Sequence, residues 1–165
     1  LHPAHPLIDA PRHRRYPQWA GKQHRTIMAT RNEMDAAFKA ILLPHVRAMG
    51  FKGSLPHLRR LRAGAANLLT VQFASAGGRF VVEIGRACAD GIDFHGRFLP
   101  LARQRARGLH RGHRHRLGAP LSGGDHWFDF TTTEAETVAH AVIAELNRAE
   151  VWALIDSWPV LGLTT

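Results

Sequence analysis

The chain has 165 residues, of which 45% are hydrophobic and 21% charged. This length and composition are those of one globular domain, and they exclude a fibrous protein, a disordered protein or two full domains joined by a linker. Lys and Arg number 22 against 13 acidic residues, a formal net charge of +9 that favours acidic protein surfaces or polyanions as partners.

The N-terminal region shows no period that would predict a helix or a strand. The first 27 residues contain four prolines, which fix the backbone angle, and the residues between them do not alternate. We expect residues 1–33 to be a disordered leader or the product of an over-extended reading frame, with Met28 or Met34 as the true start. A single domain is then expected over 34–159, followed by a tail at 160–165.

The first predicted helix has a clear start and end. Thr30 and Glu33 form a T-x-x-E capping box, and Gly50 marks the end. Between them the apolar residues recur at helical spacing: Met34, Phe38, Ile41, Leu42, Val46 and Met49. Pro44 lies inside this pattern and lacks an amide hydrogen, so we expect a kink or a break into two short helices.

The middle of the chain changes to a period of two. Apolar and polar residues alternate over 69–73 and again over 80–84, with Gly77 and Gly78 between the two runs. This pattern predicts a β-hairpin, and the glycine pair has no Lys-Ser or Lys-Thr after it, which excludes a phosphate loop. Residues 58–62 are a candidate for a preceding strand.

A further short strand is predicted over residues 127–130. Aromatic residues dominate this stretch, and residues 113–117 are its expected partner across the link that contains Gly123 and Gly124. The two segments would then form a second hairpin.

Two helices are predicted at the C-terminal end. Thr133 and Glu136 make a second capping box. Apolar residues at helical spacing follow it: Val138, Ala141, Val142, Leu146 and Ala149. A second set continues until Pro159: Val151, Leu154, Ile155 and Trp158.

The order of the predicted elements indicates the fold class. A helix is followed by several strands and then by helices, without the alternation of strand and helix that parallel sheets require. We therefore predict an α+β fold, with an antiparallel sheet of about four to five strands flanked by an N-terminal helix and two C-terminal helices.

Much of the positive charge is local. Residues 97–116 contain seven arginines and no acidic residue. Guanidinium groups bind phosphates and carboxylates in bidentate fashion, so six of these arginines are candidate contacts to a polyanion or to an acidic partner. They are Arg103, Arg105, Arg107, Arg111, Arg114 and Arg116.

Two constellations of reactive residues have simpler interpretations. A set of potential metal ligands lies at and beyond the basic segment: His110, His113, His115, Asp125 and His126. Its spacing matches no zinc motif, and the neighbouring arginines oppose a divalent cation, so we predict no metal and no other cofactor.

Cys88 with His95 and Asp90 or Asp93 could be read as a nucleophile, a base and an orienting group. A lone cysteine at a strand end is more often a packing residue, so no catalytic residue is assigned.

The single cysteine also bears on the compartment. It excludes an intramolecular disulfide and a CxxC motif, as is typical of a reducing environment. No apolar run reaches the length of a membrane span, and no apolar signal-peptide core follows the basic N-terminus. We expect a cytoplasmic protein that does not bind membranes.

The order of several short motifs resembles the bacterial domain of unknown function 4304 family. The resemblance begins with Gly50-Phe51-Lys52 and continues through the 69–75 and 79–85 stretches. It then takes in Arg116-Leu117-Gly118, Asp125-His126-Trp127 and the closing helices up to Trp158-Pro159. It spans residues 34–159 and implies a small cytoplasmic α+β protein of bacteria, without an established reaction, cofactor or catalytic residue.

Three functional hypotheses follow from the sequence. The first is a non-enzymatic module that binds another protein with an acidic surface, in the way that immunity proteins bind toxins. The alternative is binding of nucleic acid or another polyanion through the 97–116 segment. The second alternative is an enzyme whose site has no recognisable motif. Oligomeric state is not indicated by the sequence.

Overall fold

The computed structural model describes residues 29–94 and 96–160, except for the side chain of Phe94. The predicted leader up to residue 28 and residues 161–165 of the predicted tail lie outside the described residues. Residues 31–33, which the sequence places in the leader, form the first turn of a helix.

The predicted capping box forms as expected. Helix α1 (Arg31–Ala37) begins after Thr30, whose Oγ1 accepts a hydrogen bond from the Glu33 amide at 3.2 Å, while Glu33 Oε2 accepts from the Thr30 amide at 2.6 Å. These reciprocal bonds satisfy two of the donors that a helix start leaves free.

The predicted disruption at Pro44 takes the form of a π turn. Residues Phe38–Leu42 adopt the wider helix, in which the Leu43 amide donates to the Phe38 carbonyl five residues earlier. Helix α2 (Leu43–Ala48) then starts with Pro44 in its first turn, where a missing amide hydrogen costs least. Gly50, with φ of 90°, ends the helix as predicted.

One antiparallel sheet organises the domain. Its strands are β1 (Lys52–Ser54), β2 (His57–Arg62), β3 (Ala65–Phe73), β4 (Arg79–Cys88), β7 (Arg114–Arg116) and β8 (Phe128–Asp129). Strands β1, β2, β3, β4 and β7 are neighbours in that order, and β8 also pairs with β4. Strands β5 (Ile92–Phe94) and β6 (Arg97–Leu99) form a separate two-stranded sheet.

The predicted pairing of residues 113–117 with 127–130 is wrong. Both β7 and β8 pair with β4 instead, β7 opposite Glu83–Gly85 and β8 opposite Arg79–Phe80. The two short strands therefore follow one another along the free edge of β4. The free edge of β4 has backbone N–H and C=O groups that need hydrogen-bond partners. If β7 and β8 paired only with each other, these groups of β4 would stay exposed.

The central hairpin matches the prediction and has two distinct faces. Leu69 lies opposite Ile84 and Val71 opposite Val82, and these residues are buried against the helices on the first face. Thr70 lies opposite Glu83 on the second face. Side chains alternate along a strand, so this register assigns every other residue to each face.

Helices from both ends of the chain cover the first face of the sheet. Helices α3 (Ala135–Leu146) and α4 (Ala149–Ser157) contribute Val138, Val142 and Val151 to the core. Five phenylalanines, Phe38, Phe73, Phe80, Phe128 and Phe130, form a continuous aromatic cluster beneath them. The predicted α+β fold, with helices at both ends of the chain, is confirmed.

Two details of the C-terminal prediction are wrong. Helix α3 begins after Glu134, whose side chain makes no capping hydrogen bond. The predicted capping box fails because Thr133 lies outside the helix, beyond a turn in which the Asp129 carboxylate accepts hydrogen bonds from Thr131. Ala141 and Ala149 are exposed, so they are not part of the buried stripe.

A buried arginine lies between the sheet and the helices. Arg60 on β2 donates to Asn67 Oδ1 and to the Met49 carbonyl, and its guanidinium lies over the rings of Phe51 and Trp152 at 5.0 and 4.4 Å. Burial lowers the pKa of Arg60. Aromatic faces and carbonyl oxygens replace water around this cation.

Across the described ranges, no helix is long and apolar enough to cross a membrane.

Candidate functional site: the arginine-rich surface

The second face of the sheet is covered by the chain between β6 and β7, which we call the crossing segment (residues 100–113). It consists of three single-turn 3-10 helices at Leu101–Arg103, Ala106–Gly108 and Arg111–His113. The segment lacks the apolar period that would support a longer helix, so it folds in short turns.

The crossing segment is held to the sheet by a small apolar cluster. Ala106 is fully buried, and Leu101 and Leu109 pack beside it against Ala66, Leu68 and Ala87 of the sheet. The Ala106 amide also donates to Thr70 Oγ1 at 3.3 Å. The segment therefore packs on the sheet through its underside.

Gly85 makes this close packing possible. A Cβ at this position would lie 2.6 Å from Leu109 Cδ1 and 2.7 Å from the His113 carbonyl oxygen. Both distances are shorter than any normal contact, so the strand needs a residue without a side chain where the segment crosses it.

Three of the six candidate arginines have exposed side chains. Arg103, Arg107 and Arg111 are exposed, and no carboxylate in the described part of the chain pairs with them. Their charges remain available to an external anion.

Arg105 is held against its own segment. Its Nη1 donates to the Ala102 and Gln104 carbonyls at 2.8 and 2.9 Å. Burial lowers the pKa of the nearby His57, and the charges of Arg105 and Arg107 lower it further. His57 is therefore disfavoured as a cation next to this surface.

The remaining two arginines flank a buried carboxylate. Glu83 is 3% exposed, and its Oε1 accepts from Arg114 Nη1 at 3.3 Å and from Arg116 Nε at 3.1 Å. Arg116 also pairs with Asp125. Burial acts to lower the pKa of Arg116, but its hydrogen bonds to Asp125 and Glu83 outweigh burial and raise it.

A cleft of about 650 Å³ opens beside this ion-pair network. One wall is β7 with Arg114 and Arg116, and the other is the loop over residues 122–125. Arg111 of the crossing segment lies at its margin, and Glu83 lies among its lining residues. We call this feature the β7 cleft.

The loop that closes the β7 cleft is anchored by Asp125. The hydrogen bond from Arg116 lowers the pKa of this carboxyl group, and Trp127 Nε1 donates to it at 3.1 Å. The guanidiniums of Arg79 and Arg116 lie over the Trp127 ring at 4.8 and 5.5 Å. Charged hydrogen bonds and ring contacts together fix the loop to β7.

The potential metal ligands named from the sequence do not come together as a site. His113 and His115 are buried, whereas His110 and Asp125 are exposed. Over residues 29–94 and 96–160, no three His, Cys, Asp or Glu side chains are close enough to hold a metal ion.

Cys88 packs as a small apolar residue. It is 1% exposed at the end of β4, which leaves a nucleophilic thiol no access to substrate. His95 lies outside the described residues, so the constellation read from the sequence has no described geometry.

The sequence did not indicate Glu83 or the exposed apolar residues as functional. Glu83 occupies a polar position in an alternating strand, and only the pairing with β7 shows that it lies beneath two arginines. Phe98 and Leu61 are 67% and 66% exposed. Neither residue lies in a run that alternates cleanly between apolar and polar residues, and nothing local distinguishes them from core residues.

Comparison with known proteins identifies a family and nothing closer. The model of a protein family described as "Domain of unknown function (DUF4304)" matches residues 42–156. This range runs from the end of the π turn to helix α4 and includes the whole main sheet and the crossing segment. No curated protein and no solved structure matches the chain.

Proposed function

Since the chain belongs to the DUF4304 family, which names no activity, we propose from the surface itself that the protein is a non-enzymatic module that binds an acidic protein surface. The observation that carries this proposal is the crossing segment, which holds Arg103 and Arg107 exposed and without a carboxylate partner among residues 29–94 and 96–160. Arginine is enriched at protein interfaces because its planar cation pairs with carboxylates in bidentate fashion.

The crossing segment presents these arginines without having to fold on binding. Ala106 and Leu109 fix its underside, and the Thr70 hydrogen bond fixes its backbone. A surface that is already ordered loses less conformational entropy when a partner docks, which favours affinity.

Two exposed apolar side chains favour a protein over a nucleic acid as the partner. Leu61 lies opposite Ala66 where β3 begins, and Phe98 lies over Gly91 just beyond the end of β4. Both therefore belong to the same end of the sheet as the start of the crossing segment. An apolar anchor beside arginines is typical of protein interfaces, whereas nucleic-acid surfaces combine cations with several aromatic platforms.

Charge reversal tests the proposal. The wild-type protein, isolated from its native cells with mild crosslinking, is expected to retain a protein partner, and the affinity is then measured with purified components. Arg103→Glu and Arg107→Glu together should weaken binding by at least about tenfold, because each replaces an attraction with a repulsion. Arg103→Glu and Arg107→Glu are also measured singly. Lys52→Glu makes the same charge change at an exposed position on β1, so it is the matched control for either single variant and should bind as wild type.

The outcome separates protein binding from polyanion binding. A toxin as the retained protein would give the immunity role. Recovery of nucleic acid, with an affinity that falls steeply as salt rises, would contradict the proposal and support the polyanion alternative. Equal binding of the partner by wild type and the double variant would show that the crossing segment is not the interface.

A further inference from the structure

The β7 cleft is lined by different arginines from those of the proposed protein interface. We propose that it binds a small phosphate ester that also carries a free hydroxyl group, the chemistry shared by sugar phosphates and nucleotides. The inference rests on Glu83, on Arg111 and on the shape of the 122–125 loop, and it does not depend on the protein-binding proposal.

Glu83 supplies an unused acceptor. Its Oε1 accepts from both Arg114 and Arg116, but its Oε2 is buried and has no hydrogen-bond partner within the described residues. A buried carboxylate oxygen that lacks a donor is unfavourable, and the Glu83 side chain lines the cleft. A hydroxyl group of a ligand in the cleft can donate to this oxygen once the Glu83 carboxylate turns toward the cleft on binding.

The arginines around Glu83 supply the anion site. Arg111 is exposed, and its guanidinium makes no hydrogen bond or ion pair with any described residue. Arg114 bonds to the protein through Nη1 alone, and Arg116 through Nε and Nη1, so each keeps guanidinium N–H groups for a ligand. Three guanidiniums against the carboxylates of Glu83 and Asp125 leave one net positive charge.

A phosphate monoester fits these donors better than a carboxylate does. It has three terminal oxygens, which several guanidiniums can bind at once, whereas a carboxylate has two. The cleft volume of about 650 Å³ is in the range of small-ligand sites. A bound ester can therefore reach the arginines and Glu83 together.

The loop that faces the arginines can approach a ligand closely. Gly123 and Gly124 have φ of 103° and 139°, values that other residues rarely adopt, and a Cβ at Gly123 would meet no atom within 4 Å. The glycines leave open space beside the cleft where side chains would otherwise stand.

Calorimetry with the full chain tests the inference, using three probes. Ribose 5-phosphate carries both groups, inorganic phosphate lacks the hydroxyls, and ribose lacks the phosphate. We expect ribose 5-phosphate to bind at least about tenfold more tightly than inorganic phosphate, because a hydrogen bond to a buried charged oxygen is a strong one. Ribose should show no binding. AMP in place of ribose 5-phosphate distinguishes a nucleotide from a sugar phosphate.

Two variants assign the effects to residues. Glu83→Gln can keep an acceptor for Arg114 and Arg116 while replacing the unused oxygen with an amide donor, so ribose 5-phosphate should lose its advantage over inorganic phosphate. Arg111→Gln should weaken binding of both phosphates by about tenfold. Arg97→Gln, which removes an exposed arginine outside the cleft, should change neither.

The exposed position of Arg111 keeps the test decisive even if Glu83→Gln proves unstable. Equal affinity of the wild type for ribose 5-phosphate and inorganic phosphate would overturn the proposal, since it would leave an adventitious anion site only. Unchanged binding by Arg111→Gln would overturn it as well. Loss of the protein partner in Arg103→Glu/Arg107→Glu with normal ribose 5-phosphate binding would show that the two sites are separate.

Discussion

Replacing Gly85 with alanine should release the crossing segment from the sheet. The added Cβ would lie 2.7 Å from the His113 carbonyl oxygen, 0.7 Å short of the 3.4 Å at which ordinary contact begins. The opposing atom belongs to the backbone, so the segment has to move as a unit. A flexible Leu109 methyl group lies at 2.6 Å and can rotate away more easily.

The magnitude follows from two opposing effects. Inserting one methyl group into a closely packed contact costs about 1–3 kcal/mol. Alanine in a strand gains about 0.5–1 kcal/mol over glycine because its unfolded chain has fewer conformations. We therefore expect Gly85→Ala to lower the free energy of unfolding by about 1–2 kcal/mol and the melting temperature by about 3–8 °C.

Urea unfolding followed by tryptophan fluorescence measures this change, and Gly108→Ala is its matched control. Gly108 lies in the same segment, has no positive φ, and a Cβ there would meet no atom within 4 Å. Its substitution should change stability by no more than about 0.5 kcal/mol. If Gly85→Ala is as stable as Gly108→Ala, the crossing segment does not pack on Gly85 and the reasoning is refuted.

Two further predictions concern buried basic side chains. Arg60→Lys should lower the free energy of unfolding by about 1–3 kcal/mol in the same urea assay, because lysine cannot bond Asn67 and Met49 while lying between two rings. Arg62→Lys, at an exposed position, is the control and should not change the free energy of unfolding. Equal stability of the two variants would contradict this explanation. Burial, followed by the charge of Arg148, lowers the pKa of His115 in the folded protein, so the unfolded chain takes up a proton first as pH falls below about 6.5. Stability should then decrease with falling pH by up to about 1.4 kcal/mol per pH unit until the pKa of the folded state is reached. The difference in the free energy of unfolding between wild type and His115→Gln, measured from pH 5 to 8, isolates this contribution. If that difference does not depend on pH, His115 does not make this contribution.

Local signals in the sequence predicted the parts of the fold that local physics determines. The Thr30 capping box, the helix end at Gly50 and the 69–84 hairpin each depend on residues a few positions apart. At Thr133 the same type of signal failed, because hydrogen bonds to the Asp129 side chain start a turn that ends before the helix begins.

The pairing of strands that lie far apart in the sequence could not be predicted. Strands β7 and β8 have three and two residues, too few for any pattern to specify a partner. Both strands pair with the free edge of β4, and only the pairing of β7 with β4 brings Arg116 opposite Glu83. The β7 cleft was therefore beyond the reach of a single sequence.

Composition alone located the basic surface, but not its division into parts. Counting arginines identified residues 97–116, whereas burial of Ala106 decides which of them face outward. In a segment of 3-10 turns the side chains follow no sustained period, so the outward set could not be derived by spacing.

In the crossing segment, one set of residues attaches the segment to the sheet and another set is exposed to a partner, whereas most binding loops use the same residues for both. Ala106, Leu109 and Gly85 determine where the segment lies, whereas the side chains of Arg103 and Arg107 make no hydrogen bond or ion pair with any described residue. Outward residues can therefore be exchanged without loss of stability, as in the variable loops that rigid scaffolds display. The same arrangement makes the segment a site where a short recognition sequence can be grafted onto this fold and be held in a defined conformation.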